Sequence, residues 1–318
     1  MTRTVLVCGA TGFIGRNVAE ALAARGDRVI AVHHRRPPFE HPNIRWVQAD
    51  LTSAQDVERV VEGVDAIVQA AAVTSGARDI IERPHIHVTD NAVMNSLLFR
   101  AAHERGVGHF ILFSCSIMYA SAEQPRKEGD FDANAEMHPN YFAGGWNKVY
   151  FEKMAEFFSR CGKTRFTAIR HSNIYGPHDK FDLERSHVFG ASLTKVMTAR
   201  DGRIVVWGPG EEARDVLYVG DLVAFVQAAL DRQTTAFELV NVGSGVAVPV
   251  KDLVARIVAV SGRQLAIEHD LSRPAIRTSV CLDCARARDL FGWEPRVPLN
   301  EGIARTIAWW RAHVGEPS

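Results

Sequence analysis

Cysteine is scarce, long apolar runs are absent, and neither sign of charge is in excess. Of 318 residues only 5 are cysteine, and only Cys281 and Cys284, in "CLDC", stand close together. No second pair completes a four-ligand zinc site, so a reduced structural pair stands as the plainer reading beside a metal or redox role. The apolar stretch in "MTRTVLVCGATGF" runs only a few residues before glycine intervenes. That is too short for a signal peptide or a membrane span, and the expectation is a cytoplasmic protein without a membrane partner. Lys plus Arg (37) balance Asp plus Glu (37), so no global field draws the chain to nucleic acid. Any acidic ligand must then be held by local basic groups.

What is present is alternation. "TVLVCG", "FIGRNVAEALAARG" and "RVIAVHH" read as strand, amphipathic helix and strand, and "AIVQAAA", "NAVMNSLLFRAAHERG" and "HFILFSCS" repeat the order. Such alternation predicts an α/β protein, a Rossmann doubly wound parallel sheet with right-handed crossovers. From about Gly176 the pattern turns polar, predicting a smaller, mainly C-terminal α/β substrate region. "ARDVLYVGDLVAFVQAAL" and "FELVNVG" look like returns to the sheet. The division expected is 1–175 with 214–243 for the dinucleotide domain, and 176–213 with 244–318 for the substrate region. The C-terminal "AWWRAH" reads as an amphipathic helix packing its tryptophans against that region.

"GATGFIG" sets Gly9, Gly12 and Gly15 between the first strand and first helix, with Thr11, Phe13 and Ile14 on the same turn. Glycine permits the tight turn and close backbone approach, and the helix N-terminus offers unpaired N–H groups to a pyrophosphate. An NAD enzyme usually places a carboxylate roughly 20 residues past this motif. Here "HHRRPP" stands instead, and His33, Arg35 and Arg36 suit a ribose 2′-phosphate, so NADP is favoured over NAD. A solvated basic loop is the bland alternative.

Several stretches, in order and spacing, resemble the extended short-chain dehydrogenase/reductase family of nucleotide-sugar enzymes: "GATGFIG", "QADL", "QAAA" and "RHSNIYGPHD". "NIYGPHDKFDLERSHV" and "VVWGPGEEARDVLYVGDL" are most similar to its GDP-fucose synthase branch. The resemblance implies cofactor contacts from Asp50 and Leu51 at the adenine end, from Ala70, Ala71 and Ala72 along the nicotinamide ribose, and from His171. It implies substrate contacts from Asn173, Lys195, Trp207 and Arg214, with Arg277 also near the diphosphate. The implied ligand is a nucleotide sugar, GDP-linked, and the implied assembly a homodimer. For Arg214 the alternative is a surface ion pair with Glu211 or Asp215.

In that family a Ser or Thr, a Tyr and a Lys four residues on move a proton to the sugar's 4-oxygen. A lysine one helical turn from a tyrosine favours its phenolate. "GWNKVYFE" matches the register through Lys148 and Glu152, which puts Gly144 at the tyrosine position. Counting back from Tyr119, the hydroxyl position is Cys115 and the epimerisation cysteine position is Ile117; a one-residue shift recovers Ser114 or Ser116. Tyr141, seven residues before Lys148, is a surrogate acid if 141–145 forms a loop, as two adjacent glycines suggest. His187 is either a proton carrier or a hydrogen-bonded histidine at a helix start capped by Ser186. Reduction at a 4-keto carbon leads; a cofactor-retaining epimerase or dehydratase and a catalytically impaired scaffold subunit remain open.

Overall fold

A computed structural model of the chain describes residues 2–73, 83–183, 186–272 and 278–315. Seven strands form one parallel sheet: β1 (Thr4–Cys8), β2 (Arg28–His33), β3 (Ile44–Gln48), β4 (Ala66–Gln69), β5 (His109–Phe113), β6 (Arg165–His171) and β10 (Phe237–Val242). Their order is β10-β6-β5-β4-β1-β2-β3. The chain therefore lays strands to one side of β1, then reverses from β4 onward, and a crevice opens past the carboxyl ends of β1 and β4. This is the doubly wound sheet that the alternation predicts.

β1, β4 and β5 are buried along their whole length, which is why they read as continuous apolar runs rather than alternating ones. Helices α1 (Phe13–Ala24) and, later in the chain, α6 (Val219–Arg232) cover one face. On the other face lie α2 (Ala54–Val61), α3 (Thr89–Glu104) and α4 (Phe142–Cys161). Ser53 caps α2 by accepting from the Asp56 N–H.

His109, inside β5, is enclosed, with its Nε2 2.8 Å from Thr167 Oγ1. Burial, aided by the Arg165 charge, pushes its pKa down to about 3. His171 is lowered likewise, to about 4. Both folded values lie below the ordinary value near 6.5, so the unfolded chain takes up the proton first as pH falls. Stability present above about pH 6.5 is therefore lost progressively toward about pH 3. Urea midpoints at about pH 7 and about pH 4.5 should differ, and His109→Gln should narrow the gap; an unchanged gap would remove His109 from this account.

The second layer is built around α5 (Val188–Thr198), α7 (Val250–Ser261) and α9 (Leu299–His313). Two small sheets join it: β7 (Asn173–Tyr175), β9 (Ala213–Tyr218) and β11 (Ala247–Pro249) in the order β11-β9-β7, and β8 (Arg203–Trp207) beside β12 (Ala266–Asp270). Trp310 is buried in this core, and Trp309 packs beside Phe181.

Three segments depart from the sequence reading. "ARDVLY" was expected in the main sheet but is β9, pairing with β7 on one side and β11 on the other in the small sheet. Within the tail, α8 (Ala285–Phe291) turns back onto α6, burying Ala287, Phe291 and Trp293 in the main core. Finally, 141–145 is not a loop: Pro139–Tyr141 form a 3₁₀ turn and α4 begins at Phe142, holding both glycines. Each glycine costs about 1 kcal/mol in a helix, and tertiary packing offsets it at Gly145. A Cβ there would lie 2.2 Å from Met137 Sδ, so the missing side chain is what seats the thioether.

Candidate cofactor and substrate site

The crevice past β1 and β4 has the shape of an anion cradle. Gly9 has φ +69°, and a Cβ on it would meet the Ala71 backbone at 2.6 Å. A Cβ on Gly15 would strike the Gly9 carbonyl oxygen at 2.2 Å. Gly12 is the N-cap of α1, where no side chain caps the helix and no acidic residue occupies the first turn. The first-turn N–H groups around Thr11, Phe13 and Ile14 thus have no side-chain cap and could take an anion. Gln69 braces the facing loop: its amide accepts from Ala71 N at 3.1 Å and donates to the Ala71 carbonyl at 3.2 Å. That fixes the run from Ala70 to Ala72 across from the glycines.

At the end of β2, Arg35 and Arg36 are exposed and His33 packs edge-on to Trp46. Asp50 lies beside His34 at 3.8 Å. Its carboxylate accepts from both the backbone N–H and the hydroxyl of Thr52, and these bonds hold its pKa below the usual range. Leu51, next to it, is buried. No acidic side chain follows His33 before Pro37, and the basic residues are the ones that reach solvent at this rim.

Lys148 projects from α4 and donates to the Phe113 carbonyl at 2.6 Å, at the carboxyl end of β5. Burial lowers its pKa, opposed by Cys115 and Glu152. His171, at the end of β6, is lowered chiefly by burial, with smaller contributions from the Lys148 and His187 charges. The His171 Nδ1–H donates to the Ser172 carbonyl at 2.7 Å, leaving Nε2 as an acceptor. His187 is the N-cap residue of α5 but caps nothing with its side chain. Ser186, the expected cap, instead bonds Lys180 and Asp182.

The three candidate groups after β5 separate clearly. Ser114 is buried and donates to Glu152 Oε1 at 2.6 Å. Glu152 in turn holds Arg170 in a two-point pair at 2.9 and 2.6 Å, with side-chain exposures of 3% and 4%. Arg170 Nη1 reaches the Tyr119 hydroxyl at 2.9 Å, which donates to Asn241. Ser114 therefore belongs to a structural network that the sequence reading missed. Cys115 keeps its proton, since burial raises its thiol pKa and the Lys148 charge only partly opposes this. Ser116 lines the adjoining cavity.

That cavity, about 340 Å³, is bounded by Ser116 and Ile117, by Met137, His138 and Tyr141, and by Asn173 and Arg214 on the opposite wall. Tyr141 stands here, one turn ahead of Gly144, rather than folded down over it. Burial raises its pKa while the Arg214 charge opposes, so the phenol is protonated at neutral pH. Space remains at Gly144, where a Cβ would meet only Ile117 Cδ1, at 3.6 Å. Arg214 is steadied by the carbonyls of Ala213 and Thr278. The carboxylate of Asp215 faces away, accepting from Ser244 and Leu282, so it is not the arginine's ion-pair partner. Asn173 donates to the Asp215 carbonyl at 3.1 Å.

Lys195 donates to the Val205 carbonyl at 2.8 Å and sits 5.2 Å above the ring of Trp207, which is 51% exposed. Desolvation lowers the lysine's pKa. The pair forms an exposed cation–aromatic platform outside the residues that line the cavity. Arg277 lies outside the described residues. Cys281 and Cys284 serve as packing and capping groups, Cys281 beside Asp215 at 3.9 Å and Cys284 at Gly243. Among the described residues no helix is long and apolar enough to cross a membrane.

A glycine-cradled crevice at the reversal of a parallel sheet, with a buried lysine on α4, defines a dinucleotide-binding class of fold. Residues 5–243 match the NAD dependent epimerase/dehydratase family, and the chain belongs to it. A dTDP-4-dehydro-6-deoxy-D-allose reductase from a Streptomyces species is 30% identical, covering 98% of this chain and 97% of its own length. The GDP-L-fucose synthase of Escherichia coli (strain K12) is 27% identical and covers 96% of both chains. The fold matches that of a UDP-glucose 4-epimerase from Thermotoga maritima with TM-score 0.86 at 24% identity, covering 98% of this chain and 99% of that one.

Proposed function

We propose that the protein uses NADPH to reduce the 4-keto carbon of a nucleotide-linked 6-deoxyhexose, GDP- or dTDP-linked, without epimerising it. The observation that carries this reading is the cavity itself, which faces a protonated phenol, Tyr141, toward an amide and an arginine, Asn173 and Arg214. Ile117 on the same wall has no proton to exchange at neighbouring carbons. Epimerisation there lacks one of its two partners, whichever role His187 plays.

The glycine cradle and the first turn of α1 suit a dinucleotide diphosphate, and Arg35 with Arg36 suits a 2′-phosphate. Bound there, a reduced nicotinamide supplies hydride. Lys148 holds the ribose side of the crevice, Tyr141 gives a proton to the carbonyl oxygen, and Arg214 holds the sugar diphosphate. Lys195 and Trp207 receive the base. The exposed Val93, Tyr150 and Phe157 on α3 and α4 support a homodimer formed through those helices.

Stopped-flow mixing with NADPH and a GDP- or dTDP-linked 4-keto-6-deoxyhexose should consume one NADPH per site. Run in deuterated water, the product should carry no deuterium at carbons 3 and 5. Deuterium there would point to epimerisation, and tight binding of both ligands without NADPH loss would favour a scaffold subunit. Exchanging Arg35 and Arg36 for alanine should weaken NADPH about ten- to a hundredfold and leave NADH unchanged, as expected for lost charge-assisted hydrogen bonds.

A further inference from the structure

The cavity wall contributed by the segment before α4 carries three polar side chains, Glu136, His138 and Tyr141, and only Tyr141 figures in the reading above. Of the other two, the ring that can donate is His138. Its ring centroid lies 5.5 Å from that of Tyr141, at 47° between planes. Both rings line the same cavity. The backbone N–H of Asn140 donates to His138 Nδ1 at 3.3 Å, so in the neutral ring Nδ1 is the acceptor and the proton resides on Nε2. The ring is held in one tautomer, with a donor left over. Met137, seated in the hollow of Gly145, and the Tyr141 N–H bonded at 2.8 Å to the His138 carbonyl, fix where this segment stands.

Three other polar groups near this wall have partners: the Tyr119 hydroxyl lies in the Arg170 network, the Ser121 hydroxyl accepts from Ser279 N, and the Asn173 amide donates to the Asp215 carbonyl. Ser116 adds a hydroxyl to the same lining. A carbonyl oxygen entering the cavity beside Tyr141 meets two donors set side by side, a phenol and an imidazole N–H.

We propose that His138 is a substrate-binding residue, its Nε2–H pairing with the Tyr141 hydroxyl to hold the sugar oxygen that the reaction protonates. The proposal rests on the reading of the site as a 4-keto sugar-nucleotide reductase. In the reduction, the carbonyl carbon gains hydride from a reduced nicotinamide, which is oxidised. The oxygen takes the phenolic proton and solvent returns one to Tyr141. His138 donates a hydrogen bond throughout and loses no proton. Two donors on one oxygen stabilise its developing charge more than either alone.

The test separates sugar from nucleotide. Calorimetry compares GDP with GDP-D-rhamnose, and dTDP with dTDP-D-fucose, on the whole protein and on His138→Phe, which keeps a ring and removes the donor. The variant should bind the sugar-bearing ligand at least about tenfold more weakly, one hydrogen bond's worth, with nucleoside diphosphate affinity unchanged. His138→Gln, which restores an N–H, should recover part of the loss. Combining His138→Phe with Tyr141→Phe should cost less than the two single losses together, since both act on one oxygen. Equal weakening of sugar-bearing and bare ligands, or none, overturns the proposal. If wild type turns over a 4-keto substrate while His138→Phe behaves like wild type, the reductase reading stands and the proposal falls. If wild type binds sugar nucleotides without turnover and the variant loses the sugar contribution, the converse holds. A wild type that binds no sugar nucleotide overturns both.

Discussion

Tyr141→Phe is expected to lower kcat by a factor of about a hundred to ten thousand, the usual loss on removing a positioned proton donor. NADPH affinity should stay unchanged, because the ring lies on the substrate-side cavity and not at the glycine cradle. The phenol is suited to donating because burial keeps it protonated. Single-turnover kinetics with NADPH and the 4-keto substrate, beside fluorescence titration of NADPH, measure the two quantities separately. A rate within about threefold of wild type, well short of a general acid's contribution, would move the acid to Ser116, on the same cavity, or to Cys115, beside Lys148.

Glu152→Ala should destabilise the fold by about 3–5 kcal/mol, because it strands the buried Arg170 guanidinium without its counter-charge. Arg170 then retains the Tyr119 hydroxyl and the Glu128 carbonyl as neutral partners. Ser114 loses its acceptor at the same time. Glu152→Gln, which preserves shape and one acceptor, should cost less. Urea unfolding followed by circular dichroism gives both values, and an alanine loss below about 1 kcal/mol would mean that water enters and solvates the arginine.

Legibility in the sequence followed the strength of local pattern. β1, β4, β5 and α1 announce themselves by continuous apolar runs and helical spacing, and the glycine cradle by its place between strand and helix. β7 and β11 gave no such signal, since three-residue strands are too short for any period, and β9, legible as a strand, was assigned to the wrong sheet. The two glycines of α4 spoke locally for a loop, and packing against Met137 decided otherwise. Arg170 in "FTAIRH" has the look of a solvent-facing residue. Only the fold brings Glu152 to it from another element. His138 and Met137 come from a segment with no periodicity, and the proline after His138 is the one local hint that the chain turns there.

One wall of the cavity is therefore set by a sulfur resting where a side chain is missing. A thioether is unbranched, polarisable and rotates with little resistance, so the seat can adjust while the bond from the Tyr141 N–H to the His138 carbonyl keeps those two residues in place relative to one another. Under the proposed reading, sugars of somewhat different girth would be admitted by a methionine changing rotamer, with α4 and Lys148 unmoved.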